Sequence, residues 1–465
     1  MANGSAYGCG KISLTIPPVI ASLAGRRLLV QAIVLASTLG GSAERGVAQT
    51  APFSNTLTGD WGGVRSQLLS HGISLGAFYT GEAVGNVSGG IRTKATYLDD
   101  LDLKLTVDGQ RLIGWSGATL FVYGLSTHGG NPDDFVGDAQ GVSSIAAPAG
   151  WRLFEAWIQQ NAFEDRLSVL FGQYDLNSEF YYLNSSNLFL NSSFGIGPEF
   201  SLTGQGGPSI FPETAVGGRV EVRPIPAVVV RTAVLDGVPV NVPRADGATG
   251  IFKRGDGLLL VGEVAYLSLP EDVAGGPAGQ RRARRLRAGR AAADIPQDGK
   301  IAVGGWYYTG VFDDLSHTDR HGDPVRHRGS GGAYLIAERV VYRDTENPAR
   351  RLTLFAELGI GDPRVNRFAS YTGGGAVFSG PIRGREHDEV GLGVAAAHNG
   401  SQYIESQRQQ GRRAETSEVT LELTYLAQLT RWLTAQQSLQ YVVNPNTDPS
   451  RRDAFVASFR FEASF

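Results

Sequence analysis

The sequence predicts an all-β chain, a transmembrane antiparallel β-barrel of about sixteen strands with a short N-terminal helix. Three observations carry this. The last stretch, 453–465, alternates Phe455, Ala457, Phe459, Phe461, Ala463 and Phe465 on one face with Val456, Ser458, Arg460, Glu462 and Ser464 on the other. Successive strand residues point to opposite faces, so this is a half-apolar strand ending on an aromatic residue. The same period of two recurs from Ile73 onward, as in Leu101, Leu103, Leu105 and Val107 between Asp102, Lys104, Thr106 and Asp108. A soluble sandwich shows that alternation too. Connection lengths decide: those after odd-numbered strands run long (126–150, 175–212, 236–257, 310–330, 398–413) and those after even-numbered ones are mostly short. A membrane barrel sorts its loops this way, with the tight turns on the periplasmic side.

A closing strand with a terminal Phe resembles the last strand of bacterial outer-membrane proteins, which places the chain in the bacterial outer membrane. A barrel in lipid leaves no open edge, so this strand is expected to pair with the first, near 73–84. The phenylalanines then face lipid, and Ser458, Arg460, Glu462 and Ser464 face the lumen.

Taken in order, the first 48 residues read as a cleaved export signal. Arg26-Arg27 precede an apolar run from Leu28 to Ala36, and Gly46-Val47-Ala48 supplies small residues for cleavage after Ala48. Cys9 has no apolar run before it, so a lipoprotein anchor is not expected. The segment 49–72 carries a short helix from about Asp60, its candidate N-cap, to Gly72, with Trp61, Val64 and Leu68 on one face. The barrel occupies 73–465, with strands near 73–84, 95–108, 116–125, 151–160, 166–174, 213–223, 226–235 and 258–268. Eight more follow near 299–309, 331–342, 351–360, 372–382, 387–397, 414–426, 431–442 and 453–465. One connection, 269–298, is long where a short one is expected. It holds the run Arg281 to Arg290, which reads as a solvated insertion more readily than as a patch for anionic partners.

Composition excludes several classes. No run of eighteen apolar residues is present, so no transmembrane helix is expected. Beyond residue 48 there is no cysteine, which excludes disulfides, thiol catalysis and Cys-ligated metals. Removing 1–48 makes the formal charge more negative than the −3 of the whole chain, and nothing suggests nucleic-acid binding. His317, His321 and His327 share a segment with Asp313, Asp314, Asp319 and Asp323, but a polar surface loop explains them better than a metal site. No nucleophile motif or phosphate loop appears, so neither an enzyme nor a cofactor is expected.

The stretch dense in chemistry is 151–211. A long loop rich in Asn, Ser, Tyr and Phe follows the strand Trp151 to Gln160. Sugars present apolar faces ringed by hydroxyls, which aromatics can stack on and Asn, Asp, Glu and Arg can bond. Folded into a wide barrel, such a loop narrows the pore. Arg152 and Glu155, with Asp175, Asn177 and Glu179 at the base of the loop, are the candidate lining residues.

At these residues the chain resembles the carbohydrate-selective porin (OprB) family. The blocks are Leu57 to Gly63, Phe154-Glu155-Ala156-Trp157, Asp175 to Phe180, Phe189 to Gly195, Phe211-Pro212, Gly305 to Gly310 and Gln440 to Pro445. The resemblance implies a sixteen-stranded outer-membrane barrel passing glucose and other small sugars by diffusion. It carries over no residue-level binding site, and the insertion at 269–298 departs from it. Expected partners are the permeating sugars, outer-membrane lipid and lipopolysaccharide, and the assembly machinery, with a homotrimer as one assembly and a monomer as the other. The alternatives are a general porin, or a barrel enzyme or adhesin that conducts little, which a lumen filled by the 60–71 helix would favour.

Overall fold

A strand with one apolar and one polar phase has to put the first against lipid and the second against water, and closing the sheet removes its edges. The computed structural model describes residues 53–243, 247, 249–268 and 298–465. Both the expected export signal and the arginine run lie outside them. Sixteen antiparallel strands close into one barrel. The first eight are β1 Ile73–Gly90, β2 Lys94–Asp108, β3 Ala118–Gly129, β4 Gly150–Ala162, β5 Leu167–Tyr174, β6 Ala215–Ile225, β7 Val228–Asp236 and β8 Leu258–Ser268. Then come β9 Gly299–Thr318, β10 Pro324–Arg343, β11 Arg351–Gly361, β12 Phe368–Ser379, β13 Glu389–Asn399, β14 Ser417–Thr430, β15 Leu433–Val443 and β16 Arg452–Ser464.

The seam is the expected one. β1 pairs with β16, in a register that sets Tyr79 opposite Ala463 and Gly81 opposite Phe461. Phe459 is exposed on the outer face, while Arg460 on the opposite phase bonds Glu82 inside at 2.6 Å. The same split holds around the wall: Leu103, Leu358, Leu392 and Leu423 are exposed, while Arg219, Glu263 and Glu422 are buried within the barrel. Exposed aromatics cluster towards the two rims, with Tyr97, Trp151, Tyr307 and Tyr441 at the long-loop end and Trp115, Phe163, Tyr266 and Tyr342 at the other. These are the girdles that a barrel places at lipid–water interfaces.

Turns on the short side include 163–166, 226–227, 344–350 and 431–432, and the opposite end carries 130–149, 175–214, 237–257 and 400–416. One long-loop expectation is wrong. The segment 310–330 is not a loop: β9 and β10 continue through it and turn at 319–323. The stretch is polar on both faces, and a hairpin rising clear of the membrane needs no apolar face. There Asp314 accepts from His327 Nε2 at 2.8 Å and from His317 Nδ1 at 3.0 Å.

The N-terminal helix is shorter than expected. A 3₁₀ turn at Trp61–Gly63 precedes α1, Val64–Ser70, because Gly62 and Gly63 take positive φ and interrupt the helix. Asp60 is the N-cap residue of the 3₁₀ turn, without a side-chain bond to it, and Gly63 is the N-cap of α1. The Asp60 carboxylate instead takes the Ser66 N–H at 2.7 Å, inside the first turn of α1. Trp61 and Arg65 line a cavity with Leu75, Leu103 and Phe465, all on the outward phase of the wall. The face of this segment that carries Trp61 and Arg65 thus packs on the outside of the barrel at its short-turn end.

Candidate solute pathway

The β5–β6 connection, 175–214, folds inward. Its Leu176, Phe180, Tyr181, Phe189, Phe194 and Phe200 are buried in one cluster with lumen-facing Leu259, Trp306, Tyr334 and Phe355. Phe200 stacks on Trp306 with centroids 4.1 Å apart at 12°. Absent side chains make room on β13. A Cβ at Gly391 would come within 2.9 Å of Phe189, and one at Gly393 within 2.8 Å of Phe194. Gly393→Leu is accordingly expected to push this part of the loop off the wall. Faster cleavage within 184–195 by added protease, in detergent-solubilised barrel, is the measurement.

Backbone N–H groups of so long a buried loop need acceptors. Carboxylates on the wall supply them. Glu263 on β8 takes Tyr181 N–H at 3.0 Å. Glu338 on β10 takes Asn184 N–H at 3.2 Å, Ser185 N–H at 2.8 Å and the Ser185 hydroxyl at 2.7 Å. Glu422 on β14 takes Leu190 N–H at 2.8 Å and Asn191 N–H at 3.0 Å. The 130–149 loop is held likewise: Glu418 accepts Ala139 and Gln140 N–H at 2.9 and 3.0 Å. Ser192 N–H to Gly141 O and Ser144 N–H to Leu190 O, both 2.8 Å, tie the two loops together.

Basic residues occupy the lumen face of β6, β7 and β9, each matched by a carboxylate. Arg219 grips Glu179 through two bonds of 2.8 Å. Arg223 and Arg231 both bond Glu221 at 2.6 Å, and Arg231 and Lys300 each stand 3.4 Å from Glu263. Buried charges persist when paired and hydrogen-bonded in this way.

Across from the loop, the inward phase of β16, β1, β2, β3 and β4 is only partly covered. It presents Phe78, Asp102, Lys104, Phe121, Tyr123, Trp157 and Gln159. Lys104 Nζ bonds Asp102 at 3.0 Å and lies 4.4 Å from the Tyr123 ring centroid. Phe121 and Trp157 have centroids 5.0 Å apart at 30°, and Trp157 Nε1 donates to Glu155 at 3.0 Å. Aromatic faces and charged or amide groups therefore alternate along one wall.

The model of the family "Carbohydrate-selective porin, OprB family" matches residues 92–465. The chain belongs to the carbohydrate-selective porin (OprB) family. It is 27% identical over 459 residues to "Porin B" of Pseudomonas aeruginosa, covering 91% of this chain and 94% of that relative. It is 21% identical over 448 residues to "Putative porin QuiX" of Acinetobacter baylyi, covering 88% and 93%. Among solved structures, the high-pH structure of Pseudomonas putida OprB superposes with a TM-score of 0.74 at 25% identity, over 89% of this chain and 99% of that one. The protein is an outer-membrane porin for carbohydrates, and its interior is a solute channel rather than a catalytic centre.

Within this porin, three of the five candidate residues come together. Glu155 accepts Asp175 N–H at 3.1 Å, and Asp175 interacts electrostatically with Glu155, Glu179 and Lys104. The other two serve the loop. Arg152 Nε bonds Glu213 at 2.6 Å and its other nitrogens reach Thr127 and Pro148, while Asn177 Nδ2 donates to the carbonyls of Phe180 and Gly195. Asp102, Lys104, Tyr123 and Arg219 were not singled out by sequence. Asp102 and Lys104 had already fallen on the polar phase of their strand, which was the available signal.

Proposed function

We propose that small sugars such as glucose diffuse passively along the aromatic wall of β1 to β4, past a narrow point formed by Glu155, Asp175 and Glu179 with Lys104 and Tyr123. The single supporting observation is the interleaving of Phe121, Tyr123 and Trp157 with Asp102, Lys104 and Gln159 on the partly covered inward face. Rings accept the apolar face of a pyranose while the neighbouring groups exchange hydrogen bonds with its hydroxyls. Weak, repeated contacts of this kind favour entry without preventing exit. Arg152 and Asn177 act in this reading by holding the loop. Removal of residues 1–48 on export, contact with lipopolysaccharide at the outer girdle and recognition of β16 by the assembly machinery belong to the same proposal.

Liposome swelling with glucose, amino acids and dicarboxylates of matched size tests it. Sugars are expected to permeate fastest; equal rates for all classes would reduce the protein to a general porin. An aromatic contact contributes about 0.5–1.5 kcal/mol, so Trp157→Ala is expected to lower the sugar preference by roughly two- to tenfold without closing the channel.

A further inference from the structure

A cavity of about 450 Å³ opens on the outer face of the barrel, at the end that carries the short turns. That volume falls within the roughly 300–1,000 Å³ of small-molecule sites. Its walls are Leu75, Leu103 and Val122, from the lipid-facing phase of β1, β2 and β3, with Trp61 and Phe465 from the two ends of the described chain. Leu75 and Leu103 belong to the exposed apolar surface, so the cavity is continuous with the surface that lipid covers.

One side of the cavity is cationic. Arg65 is 4% exposed and lies between the Phe53 and Trp61 rings, at 4.6 and 4.7 Å from their centroids. Its terminal nitrogens donate to the Thr56 hydroxyl and the Gly59 and Leu75 carbonyls, all neutral acceptors, and its Nε–H has no acceptor. The Asp60 carboxylate is committed to Ser66 through two bonds of 2.7 Å. Asp60 is the nearby counter-charge of Arg65 but forms no hydrogen bond to it, and a buried guanidinium with a free Nε–H favours a further anion beside it.

We infer that this cavity is a phospholipid site of the periplasmic leaflet, taking one acyl chain between Leu75, Leu103 and Val122 and setting the phosphate against Arg65. The apolar lining and its continuity with the lipid surface account for the chain, and the buried guanidinium with its free Nε–H for the phosphate. Short turns mark the periplasmic side, where the leaflet is phospholipid rather than lipopolysaccharide. Bound there, the lipid would bridge the N-terminal segment, β1 to β3 and the carboxy terminus across the barrel seam. This inference is independent of what passes through the lumen.

Native mass spectrometry of the full chain in mild detergent, supplied with dioleoyl phosphatidylglycerol or with phosphate-free dioleoylglycerol, tests it. The wild type is expected to retain a single phosphatidylglycerol after loosely held lipid is stripped, and to prefer it over dioleoylglycerol. Leu103→Trp, which fills the cavity from the lipid side, is expected to cut retention about tenfold, while Leu423→Trp on β14 leaves it unchanged. Arg65→Gln is expected to abolish the preference for the phosphate-bearing lipid. Heat-modifiable migration on gels verifies that each variant is a folded barrel. Equal retention by the wild type and Leu103→Trp would overturn the inference. So would a wild-type oligomer that Leu103→Trp dissociates with no lipid retained, because the occupant would then be a second copy of the chain.

Discussion

Replacing Glu338 and Glu422 together by alanine is expected to lift the 184–191 stretch off the wall, raising single-channel conductance about twofold or more and removing the preference for glucose over solutes of equal size. Between them the two carboxylates accept the N–H groups of Asn184, Ser185, Leu190 and Asn191 and the Ser185 hydroxyl. A buried donor left without its partner costs about 1–3 kcal/mol, so four stranded backbone groups approach roughly 4–12 kcal/mol. Opposing this, burial of Leu188, Phe189 and Leu190 contributes about 1.5–3 kcal/mol each. The polar loss is of the same size as these apolar anchors together, so the double variant leaves the stretch with little net hold, and a water-filled lumen lets the freed groups rehydrate once the loop rises. The loop's base stays tied through Arg219–Glu179 and Arg152–Glu213, so the barrel itself is expected to remain intact. Each single variant should show part of the effect. Planar-bilayer recordings with and without glucose read both quantities, and unchanged conductance and selectivity in the double variant would show that the loop does not depend on these anchors.

Those anchors also mark where the sequence stops being informative. Strand positions were legible because each strand is stabilised locally by one apolar and one polar phase, and the seam because β16 carries Phe455, Phe459 and Phe461 on a single phase. Glu338 and Glu422 sat on the polar phase like many other residues. Their partners lie 153 and 232 positions away, at a separation no local pattern encodes. The fit of Phe189 and Phe194 against Gly391 and Gly393 is hidden for the same reason: a glycine in a strand signals a close approach without naming what approaches. Glu155, Asp175 and Glu179 were reachable because Asp175 immediately follows β5 and β5 pairs with β4, which makes their proximity nearly local. Arg152 shows the converse. Its residue type suggested the pore, while its bonds to Glu213 and to the carbonyls of Pro148 and Gly150 are long-range or loop contacts that the sequence does not show.

Deleting Phe465 is expected to reduce heat-modifiable, correctly assembled barrel in the outer membrane by about tenfold or more, whereas Ser464→Ala should leave it near the wild-type level. Phe465 N–H donates to Ala77 O at 2.9 Å, adding a rung to the β1–β16 seam beyond the last paired strand residues. Phe465 lines the same outer-face cavity as Trp61, Leu75 and Leu103. Deletion strands the Ala77 carbonyl where lipid offers no donor, at a cost of several kcal/mol, and forfeits a part of the about 1.5–3 kcal/mol that full burial of a phenylalanine contributes, since Phe465 is half-buried. It also moves the terminal carboxylate onto Ser464, whose N–H to Trp432 O and O to Leu57 N bonds, at 2.9 and 2.7 Å, hold the N-terminal segment and the β14–β15 turn to β16. Ser464→Ala keeps all of these backbone bonds, and its side chain lies on the lumen phase, so little is lost. Phe465→Ala separates the contributions: it retains the hydrogen bond to Ala77 but not the ring, and should fall between the two. Assembly of the deletion variant at wild-type levels would mean that the seam closes without its last rung, and that β1 and β16 are held by the eleven pairs between Phe78 and Gly90 alone.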